Sequence, residues 1–179
     1  MKVIYLLVLA MTIALPLTSY SQEKVHIYDP TANAELQVKD ALVKATNEGK
    51  HVMLQIGGNW CIWCVRLNAF EHADPKIDSL IKADYVLVHI NYSPENKNTE
   101  LLKKLEFPQR FGFPVLVILD AKGRRLHTQD SGFLEAAKNN SNIYYDQSKV
   151  YTFLSKWSPS WGDVNRHFVK KMFVPIVSC

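Results

Sequence analysis

Two cysteines with two residues between them, in Trp60-Cys61-Ile62-Trp63-Cys64, constrain this chain more than any other feature. The apolar run Val52-Met53-Leu54-Gln55-Ile56 before them has strand character, and Gly57-Gly58-Asn59 punctuates as a sharp turn. Val65, Leu67, Ala69 and Phe70 follow in a stretch that reads as a helix. A Cys-x-x-Cys opening a helix can close a small disulfide ring. Its first cysteine stands at the positive end of the helix dipole, which stabilises the thiolate, the reactive form. The pattern points to dithiol–disulfide chemistry.

The rest of the sequence sets the setting for that chemistry. The 179 residues, 47% of them hydrophobic, suffice for one domain with a core. Met1-Lys2, the apolar run from Val3 to Leu17 and the small residues of Thr18-Ser19-Tyr20-Ser21 predict a cleaved secretory signal over residues 1–21. An uncleaved anchor is the alternative. The expectation is an exported protein, periplasmic or secreted, beginning at Gln22, in a compartment where disulfides persist. Three cysteines are too few for a disulfide scaffold, so a close pair plus a distant Cys179 fits a redox motif better. The formal charge of +4 includes no long basic run, which argues against nucleic acid as a partner.

Along the chain, residues 22–33 read as a polar, extended arm. Ala34, Val38, Ala41, Leu42 and Ala45 trace one helix face, with Asn33 as its N-cap and Gly49 as its stop. Asp74-Pro75 interrupts the helix after the cysteines or begins a new turn. Residues 85–90 read as a strand buried on both faces, Thr99 to Glu106 as a short helix, and residues 114–119 as a third strand. Asp120-Ala121-Lys122-Gly123 is a turn, returning the chain as a hairpin strand over Arg124 to Thr128. Residues 129–147 read as an irregular insertion with one helical turn. Ser148 is the expected cap of a last helix ended by Pro159, and residues 159–179 form a tail. Parallel strands joined by helices, then a hairpin and a closing helix, predict an α/β sandwich around a mixed sheet, with one domain over 34–158.

This order and two separated motifs resemble the thioredoxin superfamily, especially exported bacterial thioredoxin-like proteins with a Trp-Cys-x-x-Cys site. The first motif is Trp60-Cys61-Ile62-Trp63-Cys64. The second is the stretch from Gly112-Phe113-Pro114 to Lys122-Gly123, similar to that family's cis-proline, strand and turn. The resemblance implies a thioredoxin-like sandwich, a mixed central sheet flanked by helices. It implies that Pro114 is cis and packs against the cysteines, while Phe113 offers backbone groups to an extended substrate. It implies further that Cys61 attacks a substrate disulfide, that Cys64 resolves the mixed disulfide, and that Trp60 shields the site. Ile62 and Trp63 complete the expected substrate-facing set. Protein thiols and disulfides would be the substrates, with a membrane electron donor as partner and no cofactor. The reductase or isomerase direction follows from the resemblance alone.

Three departures stand out, one of them that the stretch from Gln129 to Gln147 and the tail after Pro159 exceed a minimal thioredoxin. The family's buried aspartate, six residues before the first cysteine, is replaced by Gln55, which cannot act as a base. The intervening pair Ile62-Trp63 also differs from the family's usual residues. Two other readings remain open. The chain could be a thioredoxin-fold binding or chaperone module, or the pair could supply two ligands to zinc or copper(I). A closed zinc site wants four ligands. The nearest histidines, His51 and His72, lack the usual spacing, and His26, His89, His127 and His167 are scattered. Val65 rather than His follows Cys64, which excludes haem attachment.

Overall fold

A computed structural model of the chain describes residues 26–137 and 144–161. The expected signal over 1–21 and Cys179 lie outside the described residues. Among the described residues the α-helices and strands follow in the order α1 (Ala34–Glu48), β1 (His51–Gly57), α2 (Ile62–Ala73), α3 (Pro75–Asp84), β2 (Tyr85–Asn91), α4 (Thr99–Lys104), β3 (Val115–Leu119), β4 (Arg125–Asp130) and α5 (Gln147–Trp157), with 3-10 turns at Pro108–Phe111 and Ser131–Leu134. The strands form one sheet in the order β2-β1-β3-β4.

Alternation along β1 builds a core on each face of the sheet. Val52, Leu54 and Ile56 point to one side, where they join Val86 and Ile90 of β2, Val115 and Val117 of β3, α1 and α4. Met53 points to the other, with Leu116, Ile118, Leu67 of α2, Ile77 and Ile81 of α3, and Phe153 and Leu154 of α5. The result is a three-layer sandwich. Burial on both faces is why these strands are nearly continuous apolar runs in the sequence.

The caps follow from short polar side chains. Asn33 Oδ1 accepts from the Leu36 amide at 3.1 Å, and Gly49, at φ 67°, ends α1 in the left-handed conformation that glycine tolerates. Asp74 resolves the ambiguity at Asp74-Pro75, because it closes α2 and its carboxylate caps α3 at the amides of Lys76 and Ile77. Pro75 occupies the first turn of α3, where no donor is missed.

Three expectations are corrected. The strands joined by helices are not all parallel: β1 and β2 are, whereas β3 runs antiparallel to β1. An apolar run buried on both faces carries no mark of direction, so the sequence was silent there. The fourth helix ends at Lys104 rather than Glu106, since Glu106 and Phe107 adopt positive φ and the Arg110 Nε–H donates to the Phe107 carbonyl at 3.0 Å. The last helix is capped by Asp146, whose carboxylate accepts from the Lys149 amide at 3.0 Å, which leaves Ser148 inside the first turn.

Much of the stretch read as an irregular insertion is structured. Gln129 and Asp130 finish β4, a 3-10 turn covers Ser131–Leu134, and Glu135 bridges to Tyr145. Leu134 and Tyr145 are both core residues. Among the described residues no helix is long and apolar enough to cross a membrane.

Candidate active site

The cysteine pair stands where β1 runs out. Gly57 closes the strand, and the Gly58 carbonyl accepts from the Cys61 amide at 3.0 Å, turning the chain into α2. Gly57 is required by close approach: a Cβ there would run into Cys64 Sγ and lie 3.0 Å from the Tyr28 hydroxyl. Cys61 and Cys64 are joined by a disulfide with their Cα atoms 5.2 Å apart. Cys61 is the N-cap of α2, and its Sγ accepts from the Cys64 amide at 3.2 Å. That amide and the helix dipole together favour negative charge on Cys61 Sγ once the disulfide opens. Cys61 keeps a 6% exposure, whereas Cys64 is fully buried.

The expected site residues divide into two groups. Trp60 and Ile62 are exposed at 57% and 56%, large apolar side chains on the surface beside the disulfide. The Trp60 indole N–H donates to the Tyr92 carbonyl at 2.7 Å, and its ring meets Phe113 edge-on at 5.5 Å. Phe113 in turn lies against Tyr92 and packs on the cluster of Tyr28, Cys61 and Cys64. The Phe113–Pro114 peptide bond is cis, and Pro114 is buried immediately before Val115, which pairs with Ile56 of β1. Trp63 also packs on the cluster of Tyr28, Cys61 and Cys64. It is half-buried against Tyr144 and Tyr145, with the Arg66 guanidinium 5.0 Å over its ring, and the Tyr145 hydroxyl donates to its carbonyl at 3.1 Å.

Sequence reasoning missed four residues here. Asn59 read only as punctuation, yet its Oδ1 accepts from the amides of Ile27 and Tyr28, each at 3.0 Å, and its Nδ2 donates to the Tyr28 carbonyl at 2.7 Å. One side chain thus does for the arm what a neighbouring strand would do. Replacing Asn59 with alanine leaves these backbone groups without partners and should cost about 2 kcal/mol. Urea denaturation reads the loss, and amide exchange at Ile27 and Tyr28 should accelerate beyond the global rate. Unchanged exchange there would mean that the arm is held by something else.

Tyr28, Glu71 and His89 are the others. Tyr28 is 2% exposed and packs on both cysteines. Glu71 is 1% exposed on α2, and burial alone pushes its carboxyl up to about 8. His89, opposite Gln55 in the β1–β2 register, is pushed down to about 4 by burial and by nearby His72. The sequence did carry a signal for Glu71. Cys64, Leu67 and Glu71 recur at helical spacing, which puts a carboxylate on the inward face of α2.

Gln55, at the position of the family's aspartate, is fully buried, and its Nε2 donates to the Cys64 carbonyl at 3.3 Å. Among the described residues no group of three or more His, Cys, Asp or Glu side chains is placed to hold a metal ion.

A family model described as thioredoxin-like matches residues 32–121. The chain is similar to the thiol:disulfide interchange protein DsbD of Salmonella typhi, with 27% identity over 126 residues, 69% of this chain and 21% of that protein. DsbD of Escherichia coli (strain K12) is 27% identical over 129 residues, 70% of this chain and 22% of that protein. The chain therefore spans about a fifth of the length of the curated relatives it matches. The crystal structure of a disulphide isomerase from Xylella fastidiosa Temecula1 superposes with a TM-score of 0.62 at 28% identity, covering 75% of this chain and 98% of that one.

Proposed function

The chain belongs to the thioredoxin-like family, and from that premise we propose that it is an exported thiol–disulfide oxidoreductase acting on protein substrates in the reductase or isomerase direction. The observation that carries this reading is the disulfide at the N-cap of α2. There an exposed edge of Cys61 meets solvent beside an apolar rim, while Cys64 is held inside.

The chemistry follows from that asymmetry. Cys61 Sγ, as thiolate, attacks one sulfur of a substrate disulfide; the other sulfur leaves with its electron pair and takes up a proton. Cys64 then attacks Cys61 Sγ in the mixed disulfide, re-forming the Cys61–Cys64 bond and releasing the substrate thiol. Trp60, Ile62 and Phe113 provide apolar surface for the substrate segment beside the sulfur, Pro114 fixes the backbone next to Phe113, and Trp63 supports the turn from behind. Residues 34–158 form the working domain, with the arm pinned to it at Asn59. Returning the pair to its dithiol requires an electron donor, for which a membrane thiol–disulfide protein is suited by chemistry. Export rests on the apolar segment that precedes Gln22.

The test is the equilibrium potential of the Cys61–Cys64 pair against glutathione, with Cys61→Ser as control. A potential near or below about −230 mV supports a reductant that needs an electron supply. A potential near about −120 mV makes the protein a disulfide donor and reverses the direction. A pair that never exchanges leaves a thioredoxin-fold binding module in its place.

A further inference from the structure

Of the six buried side-chain atoms without a hydrogen-bond partner among the described residues, four belong to Tyr28, Gln55, Glu71 and His89. Buried polar atoms are ordinarily paired, so a gathering of four beside a redox centre requires a reason. Gln55 and His89 are cross-strand partners on the sheet face that α2 covers. The Tyr28 ring meets the His89 ring edge-on at 5.3 Å, and its hydroxyl stands on the same side of Gly57 as Cys64 Sγ. Glu71 projects from the face of α2 that carries Cys64, two turns further on.

We propose that Glu71 is the proton reservoir for Cys64, exchanging its proton with the buried sulfur by way of the Tyr28 hydroxyl. The inference rests on the oxidoreductase reading above. In the reductive step a partner thiolate attacks Cys61 Sγ, the Cys61–Cys64 bond breaks, and its electron pair departs on Cys64 Sγ. A thiolate at that fully buried position is costly. The Tyr28 hydroxyl, which has no hydrogen-bond partner in the disulfide form, closes on Cys64 Sγ once the bond opens, gives it its proton and takes the Glu71 proton in its place. The products are a mixed disulfide at Cys61, a Cys64 thiol and a Glu71 carboxylate, which later recovers a proton from water. In the opposite direction the Cys64 thiol returns its proton along the same path as it attacks.

The surroundings single out Glu71 for this role. Burial holds its carboxyl at about 8, so in the disulfide form it carries a proton at neutral pH. Tyr28, from the arm, and Tyr145, before α5, both sense its charge, and burial pushes both hydroxyls well above the usual range, so neither ionises at neutral pH. Gln55 of β1 has no proton to give as an acid. His89 of β2 is pushed down to about 4 and stays neutral. On α2 itself, Arg66 lies over Trp63 and Tyr144, and His72 pairs outward with Asp78 of α3, which also holds Lys82. Of these buried groups, Glu71 alone changes charge between pH 6 and 9.

The experiment is reduction of the oxidised full chain by dithiothreitol, followed by tryptophan fluorescence, with rates expressed per thiolate. The wild-type rate should fall about tenfold between pH 7 and 9, as one group titrates near 8. Glu71→Gln should be about a hundredfold slower at pH 7 and flat with pH. Adding Gln55→Asp to Glu71→Gln should bring a pH dependence back, which no loss of packing could do. Tyr28→Phe should slow the reaction without moving the midpoint, and with the wild-type profile it decides the matter if Glu71→Gln does not fold. A flat wild-type profile, or a Glu71→Gln profile matching the wild type, overturns the inference alone. A wild-type disulfide inert to thiols at every pH overturns the oxidoreductase reading with it.

Discussion

Cys64→Ser should turn the protein into a trap, accumulating mixed disulfides between Cys61 and its protein substrates, while Cys61→Ser should form none. Both variants should reduce a model protein disulfide at the uncatalysed background, a loss of about a thousandfold or more. The contrast comes from position. Cys61 Sγ is the cap atom of α2 and keeps an edge toward solvent, so it meets the substrate first. Cys64 lies wholly beneath it and reaches only the sulfur already bound to Cys61. The Cys61→Ser variant is an informative control because serine is itself a good N-cap. Its hydroxyl can accept the Cys64 amide that Cys61 Sγ accepts now, so the helix start should survive within about 1 kcal/mol. Non-reducing electrophoresis of each variant mixed with an oxidised protein substrate reads the trap directly. Trapping by Cys61→Ser instead would exchange the two roles.

How much of this site could be read from the sequence depended on how far apart its parts lie. The cysteines, the turn at Gly57-Gly58 and the start of α2 are contiguous, and local patterning disclosed them. The strands were legible because burial on both faces leaves few polar interruptions, as in Val115 to Leu119. The direction of β3 was not, since it depends on how the chain between β2 and β3 crosses the sheet. Contacts between distant segments left no local trace. Asn59 holds Tyr28 from 31 positions away, and Tyr145 holds the Trp63 carbonyl from 82. Tyr145 lay in a polar stretch whose average character hid one buried aromatic. The cis bond at Phe113–Pro114 was expected from resemblance, because nothing in the composition around Pro114 distinguishes it from a proline that merely opens a strand. Glu71 was legible in principle. A helix read through its apolar residues alone passes over an acid that shares their face.

That buried acid should govern how the stability of the oxidised protein depends on pH. Glu71 has an ordinary value of 4.5 and about 8 in the fold, so between those limits the folded chain holds a proton that the unfolded chain has released. Stability is therefore fully present below pH 4.5 and declines as the pH rises toward 8. The whole loss amounts to about 5 kcal/mol. His89 acts in the opposite sense. Its ordinary 6.5 drops to about 4, so its contribution is present above pH 6.5 and is lost as the pH falls through that window. Between pH 4.5 and 6.5 the two slopes cancel, which predicts a plateau on the acid side of neutrality and a decline above it. Glu71→Gln removes the alkaline decline and leaves the acid limb of His89 intact. The amide buries its own polar atoms at the same position, so the two proteins will differ by a constant at low pH. The diagnostic quantity is the change in their difference. Denaturant midpoints of the oxidised proteins should diverge steadily from pH 5 to 8, with the variant gaining, and then run parallel. Curves parallel over the whole range would mean that Glu71 does not hold its proton in the fold, and the plateau would have to come from other groups.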